Sequence, residues 1–185
     1  MNVRLLITIF FSLNALLYAA PPSEFLDIPW GARASEAKRI LAPRPGLRIK
    51  EETGSKILFE GGAFANYPAE RYELELPEGR FSRGTVFIVI PPGNGKDGAP
   101  LRNHQFEDLY KSLSTKYGKG ARTADGKHSE SNWIWPTTDP RTGQKRTTSI
   151  RLSYSWEPYE FIVSYSNLPT IAETPQLKPT KTKDL

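Results

Sequence analysis

The chain contains no cysteine. Disulfides, a zinc–thiolate site, a cysteine nucleophile and a lipid-modified N-terminal cysteine are therefore excluded. Histidine is nearly as scarce, with only His104 and His128. Two histidines cannot build a three-histidine zinc site, and neither stands in an H-E-x-x-H arrangement. There is no G-x-S-x-G elbow, and no aspartate-rich stretch matches a calcium loop. No apolar run reaches the roughly 20 residues that span a bilayer. One-sided charge is missing too: 25 Lys and Arg stand against 20 Asp and Glu, a net of +5. So mild an excess does not mark a nucleic-acid binder, whose cations gather on one face.

What is present begins with an address. Arg4 gives a positive start, Leu5 to Leu17 is almost wholly apolar, and Tyr18-Ala19-Ala20 supplies small residues for cleavage. That is the layout of a secretory signal peptide. Cleavage after Ala19 is favoured over Ala20, because Pro21 would otherwise follow the cut bond directly. The reading is thus a signal peptide over 1–19, one domain over 20–167 and a Pro-, Thr- and Lys-rich disordered tail over 168–185. The mature chain is long enough for one real core. Without disulfides that core must hold by packing alone.

The domain reads as α+β. After a short lead-in, Ala34 to Ala42 has helical spacing at Ala37, Ile40 and Leu41 and is stopped by Pro43 and Pro45. Trp30 is expected to plug the space between this helix and the sheet. Leu47–Glu51 and Lys56–Glu60 are short strands, and Gly61-Gly62 marks a bulge or bend. Arg71–Leu76 alternates polar and apolar, turns through Pro77 to Arg80, and pairs with Phe81–Ile90. Val86 to Ile90 is apolar throughout, which predicts a central strand covered on both faces.

Pro91 to Pro100 reads as a loop. Asn103 is placed to cap a second helix whose face carries Phe106, Leu109, Tyr110, Leu113 and Tyr117. Gly118 closes it. Lys119 to Ser129 and Thr137 to Thr147 read as polar loops around a short strand, Asn132–Trp135. A second hairpin alternates over Ile150–Trp156 and Phe161–Tyr165. The order helix, strands, hairpin thus runs twice, which leaves a duplicated unit open. The fold predicted is two helices on a largely antiparallel sheet.

Motifs for chemistry are weak. Gly93 to Gly98 spells G-x-G-x-x-G, but Pro91-Pro92 before it and hairpins around it do not suit a dinucleotide-binding βαβ unit. His128, Ser129 and Glu130 are triad residue types merely adjacent in sequence. Glu73 and Glu75 share a strand face about 7 Å apart, a spacing a glycosidase could use, yet their alternation with core residues is that of a solvated face. No cofactor is expected. For binding, Trp133 and Trp135 lie on one strand face near Lys119, Arg122, Lys127, Arg141, Lys145 and Arg146. Aromatics beside cations could hold a glycan, an anionic polymer or a nucleic acid. Packing of both rings under the second helix is the competing and favoured reading.

Ile28-Pro29-Trp30-Gly31, with Glu36-Ala37-Lys38 and Ile40-Leu41 after it, resembles the start of small exported bacterial α+β proteins. Gly79-Arg80-Phe81 and Lys116-Tyr117-Gly118 extend the resemblance, which runs from Phe25 to Asn167. The helix-then-hairpins order is also similar to outer-membrane assembly lipoproteins of the BamE type, without their lipidated cysteine, and to β-lactamase-inhibitor-like repeats. The resemblance implies a fold and no catalytic residue. The functional expectation is a non-catalytic exported protein, periplasmic or extracellular, that contacts another envelope protein through a sheet face or the loop around Pro91 to Pro100. An anionic-polymer or glycan binder and a small periplasmic hydrolase are the alternatives.

Overall fold

The computed structural model describes residues 19–89, 98–124, 128–156 and 159–170. Residues 1–18 of the segment read as a signal peptide, residues 90–97 including most of the Gly93-to-Gly98 loop, Lys127 and the tail from 171 lie outside these.

The strands are β1 (Glu24–Phe25), β2 (Ile28–Pro29), β3 (Arg48–Glu52), β4 (Lys56–Glu60), β5 (Ala63–Phe64), β6 (Tyr67–Glu75), β7 (Arg83–Ile88), β8 (Ala121–Ala124), β9 (His128–Thr138), β10 (Lys145–Trp156) and β11 (Tyr159–Pro169). The helices are α1 (Ala34–Leu41), before β3, and α2 (Gly98–Tyr117), before β8. All pairings are antiparallel, in the order β3-β4-β6-β7-β11-β10-β9-β8, with β5 hydrogen-bonded to β6. Each helix is therefore followed by strands that meander outward-in, and the two sets meet where β7 pairs β11.

One face of the sheet is the core. Ile57 and Phe59 on β4, Tyr72 and Leu74 on β6, Val86 on β7, Val163 on β11, Leu152 on β10 and Trp133 on β9 are all buried and share that face by register. Ala37 and Leu41 of α1 and Phe106, Leu109 and Leu113 of α2 belong to the same cluster. Gly118, at φ +79°, ends α2 in the left-handed conformation its place requires.

Several expectations are corrected. β7 is central, but it alternates: Gly84, Val86 and Ile88 are buried while Arg83, Thr85 and Phe87 are half-exposed. An apolar run therefore did not mean cover on both faces. α2 starts at Gly98, so Asn103 lies inside it and is no cap; Pro100 falls in the first turn, where its missing N–H costs nothing. The first supposed polar loop holds edge strand β8, and the second shrinks to a turn over Asp139 to Gln144. Asp139 builds that turn, its Oδ1 accepting from the Arg141 and Thr142 amides at 2.9 and 3.3 Å. Pro136 does not end β9. It sits beyond the reach of β8, where the strand edge needs no donor. β11 continues to Pro169, two residues into the segment read as tail.

The lead-in is also structured. β1 and β2 form a two-residue hairpin through Leu26 and Asp27, both at positive φ. Its Phe25 and Ile28 are fully buried. Phe25 lies over Gly84 and meets the rings of Phe81 and Tyr165 at 6.1 and 5.4 Å. Half-buried Trp30 stacks on Phe81 at 5.2 Å and donates Nε1–H to the Pro22 carbonyl at 2.7 Å.

Candidate functional site

The second face of the sheet is half-exposed. Register arranges it in transverse rows: Glu73, Thr85, Ser164 and Arg151; Arg71, Phe87, Ile162 and Ser153; Glu75, Arg83, Ser166 and Ser149. The middle strands thus supply small hydroxyl side chains at Thr85, Ser149, Ser153, Ser164 and Ser166, interrupted by Phe87, Ile162 and Arg151. Thr85 and Ser164 hydroxyls lie 3.0 Å apart, and those of Ser149 and Ser166 2.8 Å. Longer residues stand on either side. On β4, β6 and β7 these are Lys56, Arg71, Glu73, Glu75 and Arg83. On β9 they are Glu130 and Ile134, the latter 66% exposed. Arg151 pairs with Glu130 at 2.6 Å, toward β9. The result is a partly polar trough, broken by Phe87, Ile162 and Arg151, between longer residues on either side, made by side-chain size on a regular pleat.

The walls are neutralised from within. Glu73 accepts from Lys56 at 2.9 Å and Arg71 at 3.1 Å, and Arg83 pairs with Glu75 at 3.1 Å. Burial alone would raise the Glu73 pKa, but the hydrogen bonds and charges of Lys56 and Arg71 outweigh it and hold the carboxyl below its ordinary value. A general acid needs the opposite shift. Glu73 and Glu75 therefore act here as ion-pair partners, which disfavours the hydrolase reading built on them. The Arg71 guanidinium lies 3.5 Å above the Phe87 ring centre and caps that aromatic.

The residues singled out for polymer binding do not assemble as imagined. Trp133 and Trp135 are 4% and 9% exposed. Both lie on the core face, against Tyr110 and Tyr117 of α2 at 5.7 and 5.8 Å. Their indole N–H groups donate to the Gly118 carbonyl (2.6 Å) and the Ala19 carbonyl (3.0 Å). Rings so placed cannot stack on a ligand, so the exposed-platform reading is replaced by core packing. Arg122 is paired with Glu107 and lies over Phe106 and Tyr110. Lys119 is exposed beyond α2, whereas Arg141, Lys145 and Arg146 sit at the β9–β10 turn, several residues farther along the sheet. Arg146 donates to the Asn167 side chain and, at 2.6 Å, to its carbonyl.

Sequence reasoning did not see one polar cluster. Asp108 Oδ2 accepts from Tyr67 at 2.9 Å and lies 3.1 Å from His104 Nδ1, at the edge of an open depression of about 300 Å³. Burial and then Asp108 raise the Tyr67 pKa. The i,i+4 spacing of His104 and Asp108 was legible, but Tyr67 arrives from β6, 41 residues away in the chain. Among the described residues no three His, Cys, Asp or Glu side chains converge as a metal site would need. None of their helices is long and apolar enough to cross a membrane. No family model, curated protein or solved structure matches the chain.

Proposed function

We infer that this is an exported, non-catalytic interaction protein that docks another envelope protein on the outer face of its sheet. The observation that carries the reading is the trough: half-exposed Thr85, Ser149, Ser153 and Ser164, with Ser166 buried beside them, between walls whose charges already pair. A face with donors and acceptors at its centre and little net charge suits a protein surface, whose polar groups it can satisfy one by one. It suits a glycan or a single-stranded nucleic acid less well, since those are held by open aromatic faces and Phe87 is capped. Export rests on the leader composition alone. The mirrored helix-plus-strands order supports a duplicated unit, in the manner of β-lactamase-inhibitor-like repeats, with the trough straddling the junction of the two halves.

The test fills the trough. Ser153→Arg with Ser164→Arg places two long cations where the structure has hydroxyls. Envelope proteins captured by the wild-type chain should fall at least tenfold in the variant, with circular dichroism and melting unchanged. Equal capture by the two folded proteins rejects the outer face.

A further inference from the structure

Two elements of the helix-covered side of the sheet bring potential metal ligands to one point that the trough does not use. His104 and Asp108 stand one turn apart on α2, an i,i+4 pair, with His104 Nδ1 3.1 Å from Asp108 Oδ2. Tyr67, at the start of β6, donates its hydroxyl to the same Oδ2 at 2.9 Å. An imidazole nitrogen, a carboxylate oxygen and a phenol oxygen thus meet around one atom. The rotation of α2 is fixed by the burial of Phe106, Leu109 and Leu113, and this leaves His104 and Asp108 exposed.

The backbone that presents Tyr67 is unusual. Phe64 pairs Tyr67 across a two-residue turn in which Ala65 and Asn66 both have positive φ, +47° and +74°. Glycine ordinarily fills one of these places, so alanine followed by asparagine carries a backbone cost. The chain after the turn is pinned on both sides. The Ala69 amide donates to the Gly62 carbonyl at 3.1 Å, and the Val89 amide to the Pro68 carbonyl at 2.9 Å. Turn and helix together line the open depression of about 300 Å³, with Leu109 in its lining and Tyr67 and Asp108 in its wall. Space is therefore open beside two of the three donors. Of the charges nearby on α2, Glu107 is engaged by Arg122, whereas Lys111 lines the depression and opposes a cation there.

We propose that His104, Asp108 and Tyr67 form a binding site for a divalent transition-metal ion of the zinc or copper class. Zinc bonds to imidazole nitrogen and carboxylate oxygen run about 2.0–2.2 Å, which sets neighbouring ligands about 3 Å apart around the ion. The two donor separations in the structure have that value. Mixed imidazole and oxygen donors select such an ion over magnesium or calcium, which take oxygen ligands. On binding, His104 carries its proton on Nε2 and coordinates through Nδ1, and Tyr67 releases its hydroxyl proton to solvent as it coordinates. Burial and then Asp108 raise the Tyr67 pKa, so that proton leaves with metal binding and not before it. Three protein donors leave the remaining coordination positions to water from the open depression.

The probe is Zn²⁺ alone, titrated calorimetrically into the full, untagged chain, with Ca²⁺ and Mg²⁺ titrated separately at the same concentrations. The chain has only two histidines, so His104→Gln is compared with His128→Gln, each checked for an unchanged circular dichroism spectrum and melting temperature without metal. The expected result is one zinc equivalent in the wild type, at least tenfold weaker binding in His104→Gln and in Asp108→Asn, and unchanged binding in His128→Gln. Lys111→Gln should tighten binding, since a like charge leaves the depression. Tyr67→Phe should weaken it several-fold and lose the proton release that accompanies it; a Tyr67→Phe chain that binds and releases protons as the wild type does overturns the phenol as a ligand. Equal losses in the two histidine variants, weak uptake of several equivalents, or no binding by the wild type overturn the site and leave the three groups as a hydrogen-bonded tie between β6 and α2. Calcium or magnesium bound as tightly as zinc overturns the metal class. Ser153→Arg with Ser164→Arg should bind zinc as the wild type does, so the site and the trough fail independently.

Discussion

Gly84 offers the sharpest perturbation of the fold. A Cβ built there would lie 2.7 Å from Phe25 Cγ and closer still to Cδ1 and Cε1. The neighbour that must yield is a ring 1% exposed, wedged against Phe81 and Tyr165. Gly84→Ala therefore forces a shift of the β1–β2 hairpin or expels the ring. Overpacking of this kind costs about 1–3 kcal/mol. Expulsion is bounded by the loss of a buried phenylalanine, about 3–5 kcal/mol. For a domain of this size that is a fall in Tm of roughly 3–15 °C. Urea unfolding followed by tryptophan fluorescence measures it. The decisive arm is the double variant: with Phe25→Ala present, Gly84→Ala should cost almost nothing, because its methyl enters the space the ring left. Additive losses, or a Gly84→Ala chain as stable as wild type, would refute the packing of the lead-in hairpin into the core.

Other outcomes follow from the same geometry. Glu73, held ionised by Lys56 and Arg71, has a folded pKa below its unfolded value near 4.5. Its stabilisation is therefore present above about pH 4.5 and lost as pH falls through the lower folded value. Glu73→Gln should be less stable than wild type at pH 7, by about 1 kcal/mol after discounting for partial exposure. That gap should close on acidification toward pH 3, and a pH-independent gap in urea titrations would contradict it. At Gly120 an added Cβ would stand 2.5 Å from Trp133 Cε2. Gly120→Ala should lower Tm by several degrees and open the Trp133 indole to acrylamide quenching; an unquenched, equally stable variant would mean the ring is not pinned there.

The sequence was most legible where local periodicity and burial agree. α1, the β3–β4 and β6–β7 hairpins and the apolar face of α2 were all readable, because one face of each element packs on one core. It failed where a residue's local meaning depends on a distant partner. Val86 to Ile90 suggested cover on both faces, yet Phe87 is sheltered by Arg71 from the next strand. Lys119 to Ser129 looked like a loop because β8 gains its identity only by pairing β9. Phe25 gave no signal, since the glycine that receives it is 59 positions later. The site behaves likewise. The serines of the trough stand in ordinary alternation, and nothing local distinguishes a solvated face from a docking face.

The most direct test of the account is a contact map of the outer face. A photo-crosslinking residue introduced at Ser153 or Ser164 would be compared with one at Thr115 on the exposed side of α2, each in the folded chain within its own envelope. The account predicts one shared crosslinked protein at both trough positions and none at Thr115, with the product lost when Arg fills the other trough serine. Crosslinks at Thr115 that match or exceed those in the trough would place the interaction elsewhere and contradict it.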